Sequence, residues 1–264
     1  MAGRSRRNVA VSAQAIVSEE GADALRVKAW MVHRLLCEEY ECPIRYFHDM
    51  DPLSELISSL LSHRTRNADS GRAFKALRAR FPGWEAVRDA PVAEVEEAIA
   101  AVTWPEQKAP RIQHVLREIT RLRGELSLDF LAELTVPEAR RWLEALPGIG
   151  PKTSAATLLF SRLRMPALPV DSHHHRVAQR LGLIPASLDV GPSHAVLEAQ
   201  LPDGLTAQEV YDNHEVLMLH GQQCCYYRAP ACHRCVVYAL CPTGQRLRPE
   251  VAATLGDTLL ERPA

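Results

Sequence analysis

The segment LPGIGPKT, residues 146–153, constrains the fold more than any other part of this 264-residue chain. A helical pattern over 136–145 leads into it, and a Pro-Gly pair ends that helix. Pro151 stands where the first turn of a following helix should begin, because proline is well tolerated there. Gly148 and Gly150 allow positive φ angles and remove side chains from the turn, so that the amides there and at the start of the next helix can face an anion. The segment therefore predicts two helices joined by a tight turn.

The remainder of the chain is helical in pattern as well. Apolar residues recur at helical spacing, and the segments in which we expect further helices are 24–40, 51–62, 67–80, 91–101, 106–123 and 128–134. Thr135 with Glu138, and Thr206 with Glu209, match the capping-box pattern at two helix starts. Alternating apolar runs of the strand type are almost lacking. These patterns predict an all-α protein with a short loose N-terminal tail and a polar loose tail after about residue 243.

Composition limits the possible partners and locations. The chain has 31 Lys and Arg against 32 Asp and Glu, so any affinity for nucleic acid must come from a local patch. With 47% hydrophobic residues it is long enough for two compact domains. No apolar stretch reaches the length of a membrane span, and the first residues lack a secretory pattern. We therefore expect a cytoplasmic protein with no membrane partner.

Five of the seven cysteines lie within residues 224–241. Four of them, Cys225, Cys232, Cys235 and Cys241, follow the spacing C-x6-C-x2-C-x5-C. Four thiolates in one compact loop suit a [4Fe–4S] cluster. Structural zinc, the alternative, usually shows two separated C-x2-C pairs. We predict that Cys224 is a small packed residue; the other two cysteines, Cys37 and Cys42, stand apart from the group.

Lys152 and Asp171 are the candidate catalytic pair. Lys152 lies on the glycine turn, and Asp171 follows nineteen residues later in VDSHHHRV. One helix and a short return loop can bring both side chains into a single cleft. A lysine opposed by a carboxylate beside a phosphate-binding turn has the parts of an amine nucleophile that attacks a sugar carbon and forms a Schiff base. An ordinary surface ion pair is the alternative.

Three motifs occur in one order: LPGIGPKT, then VDSHHHRV, then LHGQQCC leading into the four-cysteine spacing. With these motifs the chain resembles the endonuclease III branch of helix-hairpin-helix DNA glycosylases over roughly residues 25–242. The resemblance implies a six-helix domain at 45–165 and an iron–sulfur cluster domain formed by 1–44 and 166–264. A cleft for damaged double-stranded DNA should lie between them, in a monomer associated with the nucleoid.

The resemblance also implies roles for single residues. Lys152 matches the family's nucleophile at C1′ of a flipped-out nucleotide, and Asp171 matches the carboxylate that helps to activate it. The implied activity is that of a bifunctional DNA glycosylase and AP lyase of base excision repair, which removes oxidised pyrimidines and nicks the strand by β-elimination. The implied DNA-binding residues are Gly148, Ile149, Gly150, Thr153, Arg64, Trp104, His173 and Arg228, and the four cysteines would hold the cluster.

Several positions depart from the family's pattern. In LSHRTRN, Arg64 and Asn67 stand where the family has glutamine and aspartate, which makes the opposite-base preference an open question. Trp104 falls where the family often has an aliphatic wedge; a buried core tryptophan is the alternative. We expect His174 and His175 to be surface or cap residues, because consecutive helical residues point in different directions.

Two other functions therefore stay open. One is a diverged paralogue with altered lesion preference or mainly AP-site lyase activity. The other is a non-catalytic DNA-binding or redox-sensing iron–sulfur protein, although such a protein would need neither Lys152 nor Asp171.

Overall fold

A computed structural model describes residues 19–47 and 49–251, and every regular element in this part of the chain is helical. The α-helices run in chain order as α1 (Glu19–Tyr40), α2 (Pro52–Ser62), α3 (Asn67–Arg80), α4 (Trp84–Asp89), α5 (Val92–Ala98), α6 (Pro105–Arg123), α7 (Val136–Glu144), α8 (Pro151–Phe160), α9 (Ser172–Leu181), α10 (Val190–Glu198), α11 (Ala207–Gln223) and α12 (Pro242–Leu247). Short 3₁₀ helices cover Asp129–Glu133, Cys232–Arg234 and Tyr238–Leu240. The predicted all-α class is confirmed.

Most predicted helices agree with the structure to within two residues at each end. Helix α4 was not predicted, because its six residues are too few to show a helical period. The segment predicted as a helix at 128–134 is a 3₁₀ helix. Helix α12 shows that the prediction of a loose tail from residue 243 was wrong for its first part. The rest of that tail beyond 251, and the N-terminal tail up to 18, lie outside the described residues.

Both predicted capping boxes are present. The Thr206 amide donates to the Glu209 carboxylate at 2.8 Å, and the Glu209 amide donates to Thr206 Oγ1 at 3.3 Å. The Thr135 amide donates to the Glu138 carboxylate at 2.9 Å. These bonds satisfy amides that the helix itself leaves without acceptors, and they fix where α7 and α11 begin.

The buried apolar residues form two hydrophobic clusters. The first is built mainly from α2 to α8 and includes Leu56, Ile112 and Leu158, none of which is exposed. The second joins α1 to the helices after α8 and includes Leu159 and Val177. Helix α8 thus places the adjacent residues Leu158 and Leu159 in opposite clusters. Its first turn, which carries Lys152, is thereby fixed by both clusters, and each buried aliphatic side chain contributes about 1.5–3 kcal/mol.

Cys37 and Cys42 are joined by a disulfide at the end of α1, with their Cα atoms 4.9 Å apart. The sequence analysis did not predict this bond, because it treated the two thiols as isolated residues in a reducing compartment. None of the described helices has both the length and the apolar character needed to cross a bilayer.

Candidate active site

A cavity is bounded by the loop after α2, the start of α6, the first turns of α8 and α9, and α11. Its lining brings together residues predicted from distant parts of the sequence: Arg64, Trp104, Lys152, Asp171 and His173. The structure therefore places five of the predicted site residues around one space. Lys108 and Arg111 of α6 also line it, and the sequence analysis did not identify them.

The turn between α7 and α8 is built much as its sequence predicts. Gly148 has φ 79°, in the region that favours glycine, and a Cβ there would lie 3.1 Å from Arg111 Cδ. Gly150 is the N-cap of α8 and has φ −113°, so it does not use the positive φ that glycine allows. Leu146 and Ile149 are buried and hold the turn against the first cluster.

Two backbone amides of the turn are available for hydrogen bonding. The amide of Ile149 donates to Leu146, and that of Thr153 donates to Gly150. Over residues 19–47 and 49–251, the amides of Gly148 and Gly150 have no hydrogen-bond acceptor. The Thr153 side chain is buried, with its hydroxyl 2.9 Å from His63 Nε2.

The Lys152 amine lies where solvent access is restricted. Burial lowers the pKa of Lys152, while the carboxylates of Asp171 and Glu55 oppose that shift. Glu55 is 3% exposed on α2, and the Ser59 hydroxyl donates to its Oε1 at 3.3 Å. Burial raises the pKa of Glu55 to about 8, with Lys152 as the principal opposing charge. The lowered pKa of the amine increases the fraction of free base that can act as a nucleophile at neutral pH.

Asp171 is both a cavity residue and the N-cap of α9. Its Oδ1 accepts a hydrogen bond of 2.7 Å from the His174 amide. Burial acts to raise the pKa of Asp171, but His214, the His174 amide and neighbouring histidines outweigh it, so the pKa lies below its ordinary value. Burial lowers the pKa of His214 to about 4 and that of His174 to about 3. Both rings are therefore neutral at neutral pH. At that pH the hydrogen bond from the His174 amide stabilises the Asp171 carboxylate.

Three histidines beneath Asp171 show what the sequence analysis missed. His174 is 1% exposed, so its prediction as a surface or cap side chain was wrong. His214 Nδ1 lies 2.8 Å from the Pro169 carbonyl, and His194 Nε2 accepts from the Val170 amide at 3.0 Å. These contacts fix the segment that leads into Asp171. No local signal marks them, because the three histidines come from α9, α10 and α11.

Arg64 and Trp104 face the cavity from two adjacent segments. Both have positive φ, 49° and 56°, which is uncommon for residues other than glycine. Trp104 is 45% exposed, so the alternative of a buried core tryptophan is excluded. Asn67, the first residue of α3, is exposed beside them. The exposed side chains of Arg64 and Trp104 can therefore reach a ligand in the cavity.

His173 and Arg228 differ in their placement. His173 lines the cavity, and a Cβ on Gly221 would lie 2.8 Å from His173 Cβ. The glycine of LHGQQCC thus allows α11 to approach α9 closely. Arg228 is exposed in the cysteine loop and is not part of the cavity lining, so the structure does not bring it to the other predicted DNA-binding residues.

A separate apolar cavity is lined by all four predicted cluster ligands, Cys225, Cys232, Cys235 and Cys241. Arg180 Nη1 donates to Cys225 Sγ at 3.2 Å, and the Gly244 amide donates to Cys241 Sγ at 3.2 Å. Four thiols around one cavity, with N–H donors to two of them, fit a [4Fe–4S] cluster.

Cys224 lines the same cavity and is 4% exposed, as its prediction as a packed residue requires. Its sulfur also belongs to a second group of potential ligands. The ligand atoms of Cys224, Cys235 and His220 lie within 4.8 Å of one another. These three residues are a further group that could hold a metal ion.

Comparison with known proteins gives consistent matches. A family model described as HhH-GPD superfamily base excision DNA repair protein matches residues 57–202. A protein of Arabidopsis thaliana named as a DNA glycosylase is 34% identical over 172 residues, which cover 65% of this chain and 57% of the plant protein. The chain thus spans little more than half of that relative. Endonuclease III of a Synechocystis strain is 28% identical over 195 residues, covering 74% of this chain and 82% of the relative.

Solved structures match over most of the described part. A trapped covalent intermediate of endonuclease III with DNA aligns with a TM-score of 0.71 and 22% identity, covering 84% of this chain and 98% of the other. A non-covalent endonuclease III–DNA complex aligns with a TM-score of 0.72, also at 22% identity, covering 85% and 98%. At this identity the alignments establish the fold.

Proposed function

This chain belongs to the HhH-GPD superfamily of base excision DNA repair proteins as an endonuclease III-like DNA glycosylase, and we propose that it removes oxidised pyrimidines through a lysine Schiff base. The observation that carries this proposal is the Lys152 amine, whose pKa is lowered by burial, in the same cavity as Asp171. A protein that only bound DNA would need neither group. The ligand is damaged duplex DNA with the target nucleotide flipped out of the stack.

The reaction follows from these two side chains. Lys152, as the free amine, attacks C1′ of the damaged nucleotide, and the bond from C1′ to the base breaks with its electron pair leaving on the base. Asp171 offsets the positive charge that develops on the sugar and accepts a proton from the amine. Opening of the sugar ring gives the Schiff base. Loss of a proton from C2′ then expels the 3′ phosphate, so that the strand is nicked by β-elimination.

Borohydride trapping tests the nucleophile directly, because it reduces the Schiff base to a stable amine. We expect wild type to form a covalent adduct with an abasic duplex and Lys152→Ala to form none. Lys75→Ala is the matched control, since it removes an exposed amine on α3. An equally strong adduct in Lys152→Ala would assign the chemistry to another amine.

The four cysteines would hold a [4Fe–4S] cluster that has a structural role. The cluster would cross-link residues 225–241, a segment whose only regular structure is two short 3₁₀ helices. We expect about four irons per chain in the purified protein. A preparation that contains zinc and no iron would contradict the assignment.

Arg64 is the residue that should set the opposite-base preference. A guanidinium makes bidentate hydrogen bonds with guanine that are worth about 1–3 kcal/mol, better than with any other base. Because Arg64 is exposed at the cavity, we expect lesions opposite guanine to be processed faster than the same lesions opposite adenine. A uniform loss for all four opposite bases in Arg64→Ala would indicate a phosphate contact instead.

A further inference from the structure

A closed hydrogen-bond network around Lys108 joins the loop after α2 to the turn before α6. Lys108 Nζ donates to the carbonyls of Leu61 at 2.7 Å and His63 at 2.8 Å, and to Thr65 Oγ1 at 2.8 Å. An ammonium group has three N–H donors, and all three are used here. Lys108 is only 6% exposed, so these bonds are largely shielded from competing water.

The Thr65 hydroxyl is the second centre of this network. It donates to the His63 carbonyl at 3.2 Å and accepts from Lys108 and from the Thr103 amide, the latter at 3.1 Å. Its one donor and two acceptor sites are therefore all occupied. The Thr103 hydroxyl donates a hydrogen bond of 3.0 Å to the Arg64 carbonyl. The two segments are tied to each other in both directions.

This network lies beside two of the four described non-glycine residues that have a positive φ. Arg64 has φ 49°, and its carbonyl accepts the hydrogen bond from the Thr103 hydroxyl. Trp104 has φ 56°, and its carbonyl accepts from the Lys108 amide at 3.1 Å. A left-handed residue other than glycine persists only where its surroundings determine its conformation. The network restrains Arg64 directly through its carbonyl, and it restrains Trp104 through the preceding residue Thr103, whose amide and hydroxyl are both bonded.

The same network reaches the helix that carries Lys152. His63 Nε2 lies 2.9 Å from Thr153 Oγ1, in the first turn of α8. Burial and the nearby cations Lys152 and Lys108 lower the pKa of His63 to about 4, so the ring is neutral at neutral pH. A neutral ring can form this bond without placing a further charge beside Lys152.

We propose that Lys108, Thr65 and Thr103 are positioning residues that hold Arg64 and Trp104 in one preformed arrangement toward the base opposite the lesion. This inference rests on the proposed function, because it assigns a substrate-reading role to the arrangement. Preformed side chains need not be ordered during binding, which leaves more of the contact free energy for discrimination between bases. Without the network, Arg64 can relax to a negative φ and its guanidinium moves away from the gap.

Thr103 offers the cleanest test, because its side chain is exposed and its replacement should not disturb folding. Thr103→Val removes the bond to the Arg64 carbonyl, whereas Thr103→Ser keeps it. Single-turnover rates are measured for one lesion opposite each of the four bases. We expect the guanine-over-adenine rate ratio to fall by up to about tenfold in Thr103→Val and to stay near wild type in Thr103→Ser.

Two further measurements separate positioning from folding and from chemistry. Thr65→Val should accelerate hydrogen exchange of the Thr103 amide in the free protein, and Thr65→Ser should restore its protection. Borohydride trapping on an abasic duplex should be nearly unchanged in both Thr103 variants, because Lys152 is not altered. Lys108→Met should reproduce the loss of base discrimination, with Lys75→Met as its control for the loss of one positive charge.

The outcomes distinguish this inference from the proposed function. If wild type discriminates between opposite bases and Thr103→Val and Thr65→Val both keep that discrimination, the positioning role is wrong and the role of Arg64 stands. If wild type shows no opposite-base preference, the reading role of Arg64 fails and the positioning role fails with it. Failure of trapping in wild type would instead remove the Schiff-base chemistry.

Discussion

Replacement of Asp171 by asparagine should separate its two roles, because an asparagine keeps the cap and removes the charge. Asp171 Oδ1 accepts the 2.7 Å bond from the His174 amide at the start of α9. Asparagine and aspartate are about equally good N-caps, while alanine costs about 1 kcal/mol. We therefore expect Asp171→Ala to be less stable than Asp171→Asn by about that amount in chemical denaturation.

The effect on catalysis should be much larger than the effect on stability. Loss of a group that transfers a proton in the transition state costs about 10²–10⁴ in rate, and Asp171→Asn should lose base removal within that range. The Asp171 carboxylate also raises the pKa of Lys152, in opposition to burial. Its removal should leave more free amine, so the pH for half-maximal borohydride trapping on an abasic duplex should move downward.

The test combines three measurements: the single-turnover rate of base release, the yield of borohydride trapping as a function of pH, and the free energy of unfolding in denaturant. The pairing of slow base release with retained trapping is the expected signature of Asp171→Asn. Base release at the wild-type rate would show that the carboxylate has no part in the chemistry. Loss of trapping together with base release, in a variant that unfolds like wild type, would contradict the expected separation and show that the Asp171 charge is needed for Schiff-base formation as well.

Four further outcomes are expected. Gly148→Ala should lose about 1–2 kcal/mol of stability because φ is 79°, whereas Gly150→Ala, at φ −113° with no atom within 4 Å of a new Cβ, should be tolerated; comparison of their denaturant midpoints checks this. The pKa of Glu55 is about 8 in the folded protein against 4.5 when unfolded, so the free energy of unfolding should fall as pH rises between these values. Glu55→Gln should flatten this pH dependence and raise the free energy of unfolding above pH 8 by up to about 5 kcal/mol, as denaturant unfolding against pH would show. Arg64→Gln should reduce the guanine-over-adenine rate ratio, and equal rates for both bases in wild type would contradict the reasoning. Serine at Cys225, Cys232, Cys235 or Cys241 should lower iron content more than Cys224→Ser does, as metal analysis would show.

The motif positions could be predicted because each one is local. Pro151 restricts the backbone and Gly148 permits a positive φ wherever such residues occur, so the two helices α7 and α8 and the turn between them follow from a few residues. The capping box at Thr206 is likewise complete within four residues. The four cysteine ligands were predicted in the same way, because they lie within seventeen residues of one another, and the structure places all four around one cavity.

The interior of the candidate site could not be predicted from local pattern. Glu55, His174 and His214 look like surface residues in the sequence, yet each is at most 3% exposed. Lys108 looks like one of many helix lysines, and its three acceptors lie more than forty residues earlier in the chain. Nothing in a one-dimensional pattern states which carbonyl will lie beside an amine.

The sequence by itself determined the all-α class, the turn that presents Gly148 and the order of the lysine, aspartate and cysteine motifs. Tertiary structure alone decided the protonation of the site. Burial by α2, α9 and α11 lowers the pKa of Lys152, raises that of Glu55 and keeps His174 and His214 neutral. Desolvation depends on all the atoms around a group and not on its neighbours in the chain, and for that reason the chemistry of the cavity appears only once the helices have packed.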